Sequence, residues 1–166
     1  SLYGTVVLPA AAPRIPWTEA LARDRPNDLA GAASRYERLG AHVAAFRVRW
    51  RGAGTDSARQ SLAAGLAELM RTSGSTAEAH DALDLIDQIT PPFSRDERLA
   101  VARRAAAVNR PQEAVDQFAR AASDSPLSAA DLVTYGTALG AVSRWTDAAE
   151  VFAALPALRS RGAQLA

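Results

Sequence analysis

One pattern is written into this chain more than once, and it restricts the fold more than any other feature. Ala114, Phe118, Ala121 and Pro126 stand at offsets of 0, 4, 7 and 12. Ala79, Leu83, Ile86 and Pro91 hold the same offsets 35 residues earlier, and Ala148 and Phe152 repeat the first two 34 residues later. Another 35 residues upstream of Ala79 and Leu83, Ala44 and Val48 suggest a fourth copy. Spacings of four and seven put side chains on one helix face. Recurrence at this period is the signature of a helical repeat, whose single unit cannot bury its apolar face alone.

Composition agrees with close-packed helices. Apolar residues make up 48% of the 166-residue chain but aromatics only 6%, and alanine fills much of the difference. Alanine is the best helix former and lets backbones approach closely. The 19 basic residues, all arginine, nearly balance the 18 acidic ones. A net charge of +1 disfavours a general binder of phosphate backbones. The arginine and alanine bias points to a GC-rich, bacterial coding sequence. Without lysine there is no Schiff-base or P-loop chemistry, and without cysteine no disulfide, thiolate nucleophile or sulfur-ligated metal. No apolar run is long enough to cross a membrane as a helix. The first residue is Ser1, so any targeting signal lies out of view, and bacterial cytoplasm and periplasm both stay open.

Residues 1–27 are expected to form an N-terminal extended strap followed by a short helix. Pro9, Pro13 and Pro16 forbid one continuous helix over 1–16, and Trp17 to Arg25 has a helical face. Residues 28–162 then divide into helix pairs at 28–59, 60–94, 95–128 and 129–162, with 163–166 a C-terminal remnant. The first pair is the degenerate one, with Val43, Phe46 and Trp50 as the apolar stripe of its second helix. Capping boxes open helices at Ser75 and Ser94, Ser128 caps another with Asp131 three residues on, and Asn109 with Pro111 restarts the chain between two helices. Pro156 is expected to stop the final helix. The glycine loop RGAGT, 51–55, has neither a preceding strand nor a following lysine, so it reads as a turn and not a phosphate cradle.

The repeated small residues have a packing logic. Ala79, Ala114 and Ala148 in the second helices would face Ala67, Ala102 and Gly136 in the first ones, while Leu83, Phe118 and Phe152 fill the space between successive pairs. With those residues, the segment 60–162 resembles three tetratricopeptide repeats, two of them reading Val101, Ala102, Ala105, Ala114, Phe118, Ala121, Pro126 and Leu132, Tyr135, Gly136, Leu139, Ala148, Phe152, Leu155. The chain departs from that pattern in lacking the first-helix tryptophan and in carrying Leu155 and Ser160 where alanine and proline are usual. The resemblance implies an all-α fold, a right-handed α-solenoid of antiparallel helix pairs.

It also implies a protein-interaction scaffold, not an enzyme, binding a peptide segment or partner subunit within a larger bacterial assembly. The outward positions of the first helices would form the partner-binding groove: Tyr36, Glu68, Arg71, Leu99, Arg103, Ala106, Val133, Thr137 and Ala141. Arg71 and Arg103 suit bidentate recognition of a carboxylate. The carboxylate clamp of some family members needs Asn and Lys pairs that are absent here. Uncapped repeat ends make self-association conceivable. Leu132 to Phe152 also resembles a pentatricopeptide repeat, which gives the alternative of single-stranded RNA binding. The base-reading position of that family falls on Gly136, however, and the other copies do not follow. His42 and His80 are the two histidines, and Asp81, Asp84 and Asp87 line one helix face. One helix rarely supplies a full ligand set, so these acids read as a solvated surface, and no metal, cofactor or catalytic constellation is implied.

Overall fold

The computed structural model describes the backbone of residues 28–164 and the side chains of residues 28–155. The strap and short helix expected before Asp28 lie outside the described residues. Within them the chain is all-helical, with helices α1 (Leu29–Arg38), α2 (His42–Gly52), α3 (Asp56–Thr72), α4 (Thr76–Ile89), α5 (Arg95–Ala107), α6 (Pro111–Asp124), α7 (Ala129–Ala141) and α8 (Trp145–Gln164). They fall into two compact units, Ser1–Ala58 and Arg59–Ala166.

In the first unit α1 and α2 form a hairpin around Ala32, Ala33, Tyr36, Ala45 and Val48. The stripe expected on α2 holds at Val43, which is buried, but not at its other two members. Phe46 and Trp50 are only half-buried, whereas Ala45 is fully enclosed. Small residues on both helices bring the backbones together, and the larger side chains are left to the margin.

The turn of this hairpin recurs twice in the second unit, bond for bond. Leu39 N donates to Arg35 O, Gly40 N to Glu37 O, and Ala41 N to Tyr36 O. Val108, Asn109 and Arg110 make the corresponding bonds to Arg104, Ala106 and Ala105, and Val142, Ser143 and Arg144 make them to Ala138, Gly140 and Leu139. The last bond of each set is the six-to-one closure of a Schellman cap, which uses carbonyls the helix end would leave unpaired. Its middle residue must take a positive φ, found as 72° at Gly40, 60° at Asn109 and 63° at Ser143. Gly74 holds the same place in the 34–35-residue register, but its turn is built otherwise, with Ser75 N donating to Ser73 Oγ. Asn109, expected with Pro111 to restart the chain, makes the left-handed turn itself, and Arg110 stands at the N-cap before Pro111.

The other local expectations fare well. At Ser75 only half of the expected box forms: Ser75 Oγ accepts from Glu78 N, while Ser75 N donates to Ser73 Oγ. Ser94 and Glu97 form the full reciprocal box, and Ser128 Oγ accepts from Asp131 N. Proline is the exception. Helix α8 runs through Pro156 to Gln164, so Pro156 does not end it. An interior proline forfeits one backbone bond at a cost of roughly 3 kcal/mol. The run of Ala, Leu, Arg and Gln that follows consists largely of strong helix formers and resumes the helix.

In the second unit α5 packs on α6, α6 on α7 and α7 on α8, with a further contact from α5 to α7. Ala67, Ala79, Ala102, Ala114 and Ala148 are all buried, as the small-residue logic requires. Phe118 is fully enclosed and its ring lies 5.6 Å from that of Tyr135 on α7. Gly136 answers a different neighbour from the one expected. A Cβ there would stand 2.6 Å from Phe152 Cζ, so the glycine makes room for an aromatic ring rather than for Ala148. Phe152 accordingly lies against α7 of its own pair and stays 40% exposed. Arg95 ties the α5/α6 pair at its other end, donating to the carbonyls of Ala121, Ser125 and Pro126.

Candidate functional site

A groove of about 480 Å³ runs along one side of the second unit. Helix α5 supplies Arg103, Ala106 and Ala107, the next turn Asn109 and Pro111, and α7 supplies Val133, Thr134, Thr137, Ala138 and Ala141. Residues 103, 106 and 107 share a face of α5 because they lie three and four apart. Residues 133, 134, 137, 138 and 141 do the same on α7.

Five of the nine residues expected to line a groove are therefore neighbours in one: Arg103, Ala106, Val133, Thr137 and Ala141. Four are elsewhere. Tyr36 is 2% exposed and belongs to the core of the α1/α2 hairpin. Leu99 is 6% exposed and faces the packed interior of its unit. Glu68 and Arg71 pair with each other at 3.0 Å on the surface of α3, and Arg71 also reaches Asp96 O at 3.4 Å. None of the four is among the groove's walls.

Arg103 does not present its fork to an incoming group. Its Nε donates to Asp131 Oδ1 at 2.8 Å and its Nη2 to Oδ2 at 2.9 Å, a bidentate pair between α5 and the start of α7. Ser128 Oγ donates to the same carboxylate at 2.9 Å. These bonds, Arg103 first, hold the Asp131 carboxyl below the usual carboxylate range against the opposing effect of its burial. In return Asp131 pushes the Arg103 guanidinium further up. Sequence reasoning passed over Asp131 as anything but a helix-start residue. The one signal was an acid in the first turn of α7, where the helix dipole favours it.

The hydroxyls of the groove are also committed in one direction. Thr134 Oγ1 donates to Ala130 O and Thr137 Oγ1 to Val133 O. With their protons turned inward, both threonines offer only lone pairs outward. The groove is thus apolar, accepts hydrogen bonds from outside, and has its one cation neutralised.

Asp81, Asp84 and Asp87 are exposed on α4, as expected of a solvated acidic face, and Asp84 is also tied to the start of α6. Arg110 Nη2 reaches Asp84 Oδ1 at 2.9 Å, Arg110 Nε reaches Glu113 at 2.6 Å, and Nη1 lies 3.2 Å from His80 Nδ1. An arginine can only donate, so Nδ1 of His80 accepts. Glu113 and then Asp84 push the Arg110 guanidinium further up. Asp87 is pushed up by burial, with Glu113 adding to it. Among the described residues no three His, Asp or Glu side chains converge as a metal site. No helix among them is long and apolar enough to cross a membrane. Gly136, the position that would read a base in a pentatricopeptide array, is buried beneath Phe152.

Together these features define, among the described residues, an all-helical chain with a repeat-like arrangement of helix pairs. Comparison with protein-family models, curated proteins and solved structures gave no match.

Proposed function

We propose that the chain is a right-handed α-solenoid of tetratricopeptide-like pairs and works as a protein-interaction scaffold, holding a segment of a partner protein in the groove between α5 and α7. The observation that carries the reading is the groove itself. Its volume of about 480 Å³ falls in the roughly 300–1,000 Å³ range of ligand pockets. Recurrence of one turn geometry in register with the 34–35-residue pattern supports the repeat architecture behind it.

The chemistry of the walls selects the segment. Arg103 is already satisfied by Asp131, so an acidic anchor gains little. Alanine, valine and proline surfaces favour small or branched apolar side chains, and the outward lone pairs of Thr134 and Thr137 favour a backbone that brings N–H donors. An uncharged, largely apolar peptide segment fits both demands.

Selection of short peptides from a displayed library, with the wild type beside a Val133→Asp variant, tests the reading. Val133 is 47% exposed, so the substitution leaves the fold intact. Enrichment of apolar sequences by the wild type alone is the expected result. Equal enrichment by both proteins, or none by either, overturns the groove as the working surface.

A further inference from the structure

The groove between α5 and α7 suits an uncharged, apolar segment that brings N–H donors, and the chain itself carries one. Residues 1–13 precede the described residues and read SLYGTVVLPAAAP, with Arg14 the first charged side chain. This is the longest uncharged run in the sequence. The next longest, 132–143, supplies the α7 wall of the groove and so is already in use. Pro9 and Pro13 bias the residues before them, Leu8 and Ala12, towards extended backbone. A backbone outside helices keeps its N–H groups for other acceptors, which Thr134 and Thr137 offer.

The walls fix how much of the run fits. The α7 residues of the groove extend from Val133 to Ala141, which at about 1.5 Å per residue is roughly 12 Å. An extended chain advances about 3.3 Å per residue, so about four residues lie along that wall. Val6, Val7, Leu8 and Pro9 are the bulkiest such four in the run. Alternate side chains of an extended segment share a side, which lets Val6 and Leu8 enter together. No charge has to be stripped of water, because the groove's arginine is already paired with Asp131.

We propose that residues 6–9 of one copy occupy the α5/α7 groove of a second copy, so that the chain associates with itself through its own N-terminal segment. The inference rests on the groove reading above and names the occupant. The segment belongs to the Ser1–Ala58 unit and the groove to the Arg59–Ala166 unit. Each copy brings one of each, so two copies can exchange segments without unfolding either unit and close a two-fold pair.

Sedimentation velocity on the full chain tests this. The wild type should gain mass with concentration, and an added peptide of residues 1–13 should return it to the monomer. Val6→Asp/Leu8→Asp and Val133→Asp should each associate more weakly by about tenfold or more, since a carboxylate resists transfer to an apolar groove. Mixed one to one, the two variants should pair again, because the first keeps an intact groove and the second an intact segment. A wild type that is monomeric at every concentration, or variants that assemble as it does, overturns the proposal. The peptide arm needs no variant to fold, and a wild-type assembly indifferent to the peptide overturns it equally. If the displayed library still enriches apolar sequences through Val133 while the chain stays monomeric, the groove reading stands and only its occupant is wrong.

Discussion

Removing Arg103 and removing Asp131 should not be independent acts. The two side chains meet in a bidentate pair, but one of them carries the burial: the Asp131 side chain is 5% exposed and that of Arg103 56%. Arg103→Ala therefore leaves an enclosed carboxylate without its two charged donors, whereas Asp131→Ala leaves an arginine that water can serve. Hydrogen bonds to charged groups are worth about 1.5–3 kcal/mol each. Exposure of the arginine reduces that towards the 0.2–1 kcal/mol measured for solvated pairs, so a coupling of about 1.5 kcal/mol is expected. Each single variant should lose roughly 1.5–2 kcal/mol and the double variant about 2, well short of the sum. In urea, with a slope of about 2 kcal/mol/M, that coupling corresponds to a midpoint difference of roughly 0.7 M.

The same pair has a pH signature of definite sign. The folded-state pKa of Asp131 is lowered from 3.8, chiefly by the Arg103 hydrogen bonds. Its contribution is thus fully present above the unfolded value and is lost as pH falls through the lower, folded one. The stability gap between the wild type and Arg103→Ala should be constant near neutrality and close below about pH 4. Strictly additive single costs, or a gap that widens in acid, would refute the picture of a buried carboxylate held by a surface arginine.

Other substitutions probe the repeat packing. Phe118→Ala should cost about 3–5 kcal/mol by chemical denaturation, because the ring is fully enclosed, while the 40%-exposed Phe152 should cost about half as much. Ser143→Gly relieves a left-handed residue at φ 63° and should raise the melting temperature, the gain being about 0.5–1 kcal/mol. Ser94→Ala removes the acceptor for Glu97 N and the reciprocal box, which should lower stability by about 1 kcal/mol in the same assay.

The parts of the fold legible in the sequence are those decided within a few residues. Ser94 with Glu97, and Ser128 with Asp131, announce helix starts because cap and acceptor sit on one turn of chain. The burial of Ala79, Ala114 and Phe118 was legible from spacing alone, since a helix face is a local periodicity. What escaped depends on neighbours distant in sequence. Nothing adjacent to Arg103 says that Asp131, 28 residues on, will take its fork. Nothing near Phe46 says that Ala45 will be the closer contact. Pro156 misled because a proline's local cost was weighed without the helix formers beyond it. Of the expected groove, Arg103 and Ala106 on α5 and Val133, Thr137 and Ala141 on α7 came together because these two helices lie side by side. Tyr36 and Leu99 did not, because helix periodicity fixes a face to within a residue, and one step separates wall from core.

The recurring turn asks for a backbone shape, and three different residues supply it: glycine, asparagine and serine at 40, 109 and 143. A hairpin specified this way is indifferent to much of its own spelling. The letters at these turns differ while the hydrogen bonds that close them stay the same. In such a chain the repetition is carried by dihedral angles at positions where the letters differ.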